Sequence, residues 1–155
     1  MKPYDLAPLA MNNREADMIL ADQSKTIFGD IEWALGDGPW MRFRAEIVND
    51  FGAPLQVAGT YNPQARKVSF SILHPEVGRL YGLDLGGAHA ESGRIVIQGT
   101  HKNKWTEEAS NHCYVPEDIT ATEYEPVRAW EQFCTEAKID HQGRLHLPPI
   151  QESLT

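Results

Sequence analysis

The sequence predicts an α+β domain, an antiparallel β-sheet meander of about five strands packed with two helices, on three observations. Apolar and polar residues alternate at period two over 41–48 and 67–73, the pattern of strands with one buried face. The strands are separated by short turn-forming runs, Gly36-Asp37-Gly38-Pro39, Asn49-Asp50-Phe51-Gly52 and Asn62-Pro63-Gln64-Ala65, which suit hairpins and are too brief for parallel crossovers. Toward each end an apolar stripe recurs at helical spacing, through Ala16, Ile19, Leu20, Gln23 and Ile27 in one case and Val127, Trp130, Phe133, Cys134 and Ala137 in the other.

In chain order, the first helix is expected over 13–27, capped by Asn12 or Asn13 and ended by Phe28-Gly29. Strands are expected at 41–48, 54–61, 67–73, 79–85 and 94–98, the last two separated by a glycine-rich loop over 86–93. Trp40 follows Gly38-Pro39 and is expected to close the end of a hairpin, while Trp130 on the helical stripe belongs to the core. The second helix is expected over 126–139, with Pro126 at an early position and Asp140-His141-Gln142-Gly143 closing it. Residues 144–147 form a short edge strand or an irregular tail, because Pro148-Pro149 prevents a regular continuation. The 155 residues suffice for one core, so a single domain over 1–155 is expected, with flexible ends at 1–11 and 149–155.

No apolar run reaches the roughly 18 residues that a membrane span requires, so no membrane is expected as partner. The first residues lack a sustained apolar stretch, and a classical secretion signal is not expected. Two cysteines, neither in a CxxC pair, fit a reducing compartment and a cytoplasmic location, which also argues against a Cys113–Cys134 bridge. His89, His101, His112 and Cys113 are zinc-compatible, yet their spacing matches no metal motif, so neither a metal nor another cofactor is expected. Gly86-Gly87 lies in no phosphate-binding pattern and reads as a turn.

Charge is segregated. Residues 66–105 hold six Lys or Arg against three Asp or Glu, whereas 1–65 hold five against nine and 106–155 three against ten, within a net charge of −8. Such segregation either focuses an anionic ligand on the middle segment or pairs central cations with the two tails inside one fold. His89 and His101 flank an expected strand, and with Arg79, Arg94 and Lys104 they compose a candidate catalytic group for metal-independent RNA cleavage. Imidazoles would move the protons and the cations would hold the phosphate. A strand over 94–98 separates its ends by roughly 13 Å, so the histidines meet only if the loop folds back. Tyr81, Lys102 and Trp105 add stacking and phosphate contacts, and Asp84 would fix a histidine tautomer or take its proton-transfer role.

The segment Arg79-Leu80-Tyr81-Gly82-Leu83-Asp84-Leu85-Gly86-Gly87-Ala88-His89, followed by Gly93, Thr100-His101 and Lys104-Trp105, resembles a family of small bacterial and phage-associated proteins of unknown activity. The resemblance implies a mobile-element or defence-related context and no particular chemistry. Where that family commonly carries another histidine two residues after the second one, this chain has Asn103, which speaks against a multi-histidine or metal centre.

Two functions compete on this evidence. The first is an acidic interaction protein, for instance a phage- or host-encoded inhibitor that occupies the cationic groove of a nucleic-acid-binding partner through Glu107, Glu108, Glu117, Asp118, Glu123 and Glu125. The alternative is a small RNA-binding protein or endoribonuclease built on the central cluster. The interaction reading comes first because most of the charge opposes a general RNA-binding surface. Residues 107–125 are then expected to be a mostly exposed acidic connection, broken by Asn111-His112 and Pro116 and anchored by Tyr114, Val115, Ile119 and Tyr124.

Overall fold

The computed structural model describes residues 11–86, 88–89, 97–98, 101–107, 112–114 and 118–149, with the backbone alone at 88–89, 97–98, 101, 103 and 112–114. Helix α1 spans Asn13–Ala21, and the Asn12 side chain caps it by accepting the Glu15 N–H at 2.8 Å. It stops well short of residue 27. The Asp22 carboxylate instead accepts from Ser24 N at 2.9 Å and Ser24 Oγ at 2.8 Å, a local turn that competes with helical bonding. Lys25 then turns inward and is fully buried, its Nζ donating to the carbonyls of Ile19, Leu20 and Asp22 at 2.7, 2.9 and 2.6 Å. One ammonium therefore occupies the carbonyls that the end of α1 leaves open.

Among the described residues eleven strands follow the chain: β1 (Thr26–Phe28), β2 (Ala34–Leu35), β3 (Met41–Ile47), β4 (Leu55–Asn62), β5 (Lys67–His74), β6 (Gly78–Leu85), β7 (Ala88–His89), β8 (Ile97–Gln98), β9 (His101–Lys104), β10 (His112–Tyr114) and β11 (Asp140–Gln142), with helix α2 (Pro126–Ala137) between the last two. The fold is α+β, with an antiparallel meander at its centre and two helices packed on it. The main sheet runs β10-β9-β6-β5-β4-β3-β2, every pair antiparallel. Trp40 closes the β2–β3 hairpin, its carbonyl accepting from Gly36 N at 2.8 Å.

Three expectations are revised. Of the strand expected at 94–98, residues 94–96 lie outside the described residues and Ile97–Gln98 pairs with Ala88–His89 in a separate ribbon, while the strand beside β6 is β9. His112–Tyr114 extends the main sheet as an edge strand where irregular chain was expected. Asp140–Gln142 is no mere helix terminator, since it pairs in parallel with Thr26–Phe28. Residues so distant in sequence meet without the crossover limit that governs neighbouring strands. The ends at 1–10 and 150–155 lie outside the described residues, whereas Met11 is buried in the core.

Both helices cover one face of the main sheet. From α2, Trp130 and Phe133 press on Phe70 with ring centroids 5.2 and 5.7 Å away, and Trp130 also meets Phe43 edge-on at 5.4 Å. Phe43 lies across β4 over Gly59, where a Cβ would overlap its ring. A β-bulge between Ile72 and Leu73 lets Leu80 and Tyr81 both be buried and returns Arg79 to the opposite face. Helix α2 ends as Lys138 adopts a left-handed conformation (φ 60°). His141 Nδ1 accepts the Trp130 indole N–H at 3.0 Å, so Nε2 carries the ring proton and donates to the Gly29 carbonyl at 2.8 Å.

Gly59→Ala is expected to destabilise the fold by about 1–3 kcal/mol, because the added methyl must displace a packed aromatic ring; urea unfolding checks this, and an unchanged midpoint would contradict the packing. Burial, reinforced by the charge of Lys138 and only partly opposed by Asp22, pushes the Lys25 ammonium from 10.5 down to about 8. Between those values the unfolded chain holds a proton that the folded chain has lost. Stability from this group therefore rises with pH across that window. Relative to Lys25→Met, the wild type is expected to gain stability from pH 8 to 10.5; parallel pH profiles of unfolding would refute the assignment.

Candidate interaction site

The cations of the central segment are committed inside the fold. Tyr81 stands opposite Lys104, and Leu83 opposite Lys102, on the sheet face that carries the helices. Lys102 is buried, and its Nζ lies 2.8 Å from both Asp118 Oδ1 and Glu136 Oε1. Tyr81, also buried, donates its hydroxyl to the same Glu136 oxygen. Lys104 pairs with Asp17 of α1 at 2.5 Å, and Trp105 is half-buried against the core. Tyr81 and Lys102, expected as stacking and phosphate contacts, are thus interior groups paired within the fold. Burial by itself lowers the Lys102 pKa, but hydrogen bonds and charge from Asp118 and Glu136 raise it overall. That stabilisation is complete below the ordinary lysine value and fades as pH rises through the folded one.

On the opposite face Arg79 lies across Gly82, whose missing side chain makes room for the guanidinium. It donates to both Asp84 oxygens, at 3.1 and 2.9 Å, while Ser69 Oγ donates to Asp84 at 2.6 Å. His101 stands opposite Asp84 in the β6–β9 register, and His89 stands in the β7–β8 ribbon. The backbone therefore brings three of the five expected catalytic positions, Arg79, His101 and Lys104, onto the adjacent strands β6 and β9, with Asp84 opposite His101 and Lys104 turned to the helix-covered face, and sets His89 in a different sheet. Arg94 lies outside the described residues. Among the described residues no group of three His, Cys, Asp or Glu is arranged to hold a metal.

The acidic positions have mixed roles. Glu107 is exposed and clamps the start of α1, accepting from Asn13 N at 2.7 Å while its own N–H donates to Asn13 Oδ1 at 2.8 Å. Asp118 remains half-exposed beside Lys102. Glu123 is half-buried, and Glu125 is held below the usual carboxylate range by the Thr122 N–H and by Arg128. Glu108 and Glu117 lie outside the described residues. Ile119 anchors the connection in the core, whereas Tyr124 is exposed with Arg66 above its ring at 5.8 Å.

Sequence reasoning followed the apolar stripe of α2 and passed over its polar face. Glu131, Gln132, Thr135 and Glu136 line, with Asp118, a recess of about 340 Å³. Gln132 fastens the preceding strap to the helix, accepting from Thr120 N and Ala121 N at 2.9 Å each. Glu136 Oε2 is buried, with no hydrogen-bond partner among the described residues. The signal was present in the spacing, since positions i, i+1, i+4 and i+5 share one helical face.

Lys102→Met is expected to cost about 2–3 kcal/mol, below the range for a fully buried pair because Asp118 is half-exposed. Adding Glu136→Leu should recover part of that loss by removing the stranded carboxylate; an additive double variant in urea unfolding would argue against the coupling. No helix among the described residues is long and apolar enough to cross a membrane. Comparison with protein-family models, curated proteins and solved structures finds no match.

Proposed function

We propose that this chain is an acidic protein-interaction module whose partner presents a cationic groove. The observation that carries the reading is the internal pairing of Arg79, Lys102 and Lys104 with Asp84, with Asp118 and Glu136, and with Asp17. With those cations engaged, the net charge of −8 is expressed mainly by exposed carboxylates, which repel nucleic acid and attract basic protein surfaces. The acidic recess beside α2, with Asp118 and Glu131 at its walls, supports docking of a lysine or arginine side chain. An inhibitor of a nucleic-acid-binding protein, cytoplasmic and from a phage or defence-related setting, fits both this charge pattern and the resemblance noted for the central segment.

The alternative, RNA binding or metal-independent cleavage, draws support from the alignment of His101 with Asp84 beside Arg79. It is the weaker reading, because Asp84 already neutralises that arginine.

An oligoarginine peptide is expected to bind the full chain in calorimetry with strong salt dependence, and Glu123→Lys combined with Glu131→Lys to weaken it by about tenfold or more. Single-stranded RNA in EDTA should be neither retained nor cut. RNA cleavage abolished by His101→Ala would reverse the order of the two functions, and failure of the peptide to bind would remove the interaction reading.

A further inference from the structure

Helices α1 and α2 cover one face of the main sheet, and the opposite face presents two arginines side by side on β3. Arg42 and Arg44 alternate with the buried Met41 and Phe43, so the period of the strand turns both away from the core and into solvent. In the sheet register Arg42 stands opposite Ala34 of β2 and Thr60 of β4, and Arg44 stands opposite Ala58. The cross-strand neighbours of the pair are thus all small. With them the two arginines bound a shallow cavity of about 400 Å³, floored by Ala34, Ala58 and Thr60.

The charge of this pair is uncommitted. Arg79, Lys102, Lys104 and Arg128 each form an ion pair, whereas among the described residues Arg42 and Arg44 form none. Arg44 donates to Gln56 Oε1 at 3.2 Å, toward one end of the strand. Arg42 extends over Gly36 toward the other end, its Nε 3.5 Å from where a Cβ on that glycine would stand. The space between them is left open, and closing either guanidinium over it costs at most the single contact with Gln56.

The geometry selects the ligand. Alternate positions on one strand lie roughly 7 Å apart, and each guanidinium presents a donor fork that two anion oxygens fill. A carboxylate offers two oxygens and one charge, which a single arginine satisfies. A phosphomonoester offers three terminal oxygens and about two charges near neutral pH, so it engages both arginines at once and relieves the repulsion between them. Thr60, opposite Arg42, adds a hydroxyl donor. The adjoining cleft along β3 brings Glu32 and Glu46 beside the same arginines, and these carboxylates repel an extended polyanion.

We propose that Arg42 and Arg44 form a binding site for the phosphate group of a small phosphomonoester. The phosphate bridges the two guanidinium groups, and the organic body rests on the methyl groups of Ala34 and Ala58. The site lies on elements other than the acidic recess, and it does not depend on the interaction reading.

Titration of phenyl phosphate into the full chain at low ionic strength, followed by amide chemical shifts, tests the proposal. Saturable shifts are expected at 34–36, 42–44 and 58–60. Arg42→Gln and Arg44→Gln, both at exposed strand positions, should each weaken binding about tenfold while keeping the dispersion of the remaining spectrum. Arg14→Gln, which removes the same charge from an exposed position of α1, should leave affinity unchanged. Phenylacetate should bind about tenfold more weakly than phenyl phosphate. Inorganic phosphate should also bind more weakly, since it lacks the body that rests on the alanines. Absence of saturable shifts, shifts centred elsewhere, affinity unchanged by the β3 variants, an equal loss in Arg14→Gln, or phenylacetate binding as tightly as the ester would each overturn the proposal. Inorganic phosphate binding as tightly as the ester would overturn the assignment of an organic ligand.

Discussion

The close approach of Phe43 to the backbone at Gly59 is the contact on which the rest of the fold depends. With no side chain on β4 at that point, the Phe43 ring lies against the Gly59 backbone and packs at right angles to Trp130 of α2. Trp130 and Phe133 then settle on Phe70, and Phe133 stacks near Tyr81 with centroids 6.2 Å apart. Each aromatic ring removes a large apolar area from water, so this cluster supplies much of the driving force that joins helix to sheet. The same seating places the far end of α2, with Glu136, above β6 and β9.

The position of α2 in turn decides the electrostatics. Glu136 reaches Lys102 and Tyr81, Asp118 closes over Lys102 from the strap before the helix, and Asp17 of α1 takes Lys104. A basic middle segment and acidic flanks thereby become a set of internal ion pairs. A buried lysine is tolerated because its charge is paired and hydrogen-bonded, and removal of one partner would strand another in a low-dielectric interior. Lys25 solves a similar problem differently, placing its charge on three backbone carbonyls at the end of α1.

Much of the architecture was legible in the chain because it follows from local periodicity. Met41, Phe43 and Ile47, and Val68, Phe70 and Ile72, alternate with polar neighbours and are buried in the structure. The stripe through Trp130, Phe133 and Ala137 likewise faces the core. Asn12 and Pro126 mark the helix starts, since capping and a preset φ act within one turn of chain. Less legible was the end of α1. Ile27 continues a helical spacing and is indeed buried, yet it reaches the core from a strand because Asp22 and Ser24 satisfy the backbone locally.

By itself the sequence determined the fold class, the order of the meander and the face that each strand buries, because side-chain direction repeats every second residue in a strand and about every 3.6 in a helix. It also stated both possible fates of its segregated charge. Only the tertiary structure chose between them, because ion pairing depends on distances between residues far apart in the chain, such as Lys104 with Asp17 and Lys102 with Glu136. The parallel pairing of Thr26–Phe28 with Asp140–Gln142 belongs to the same class. Each joins segments that are distant in the chain, and no local pattern of residues encodes such a meeting.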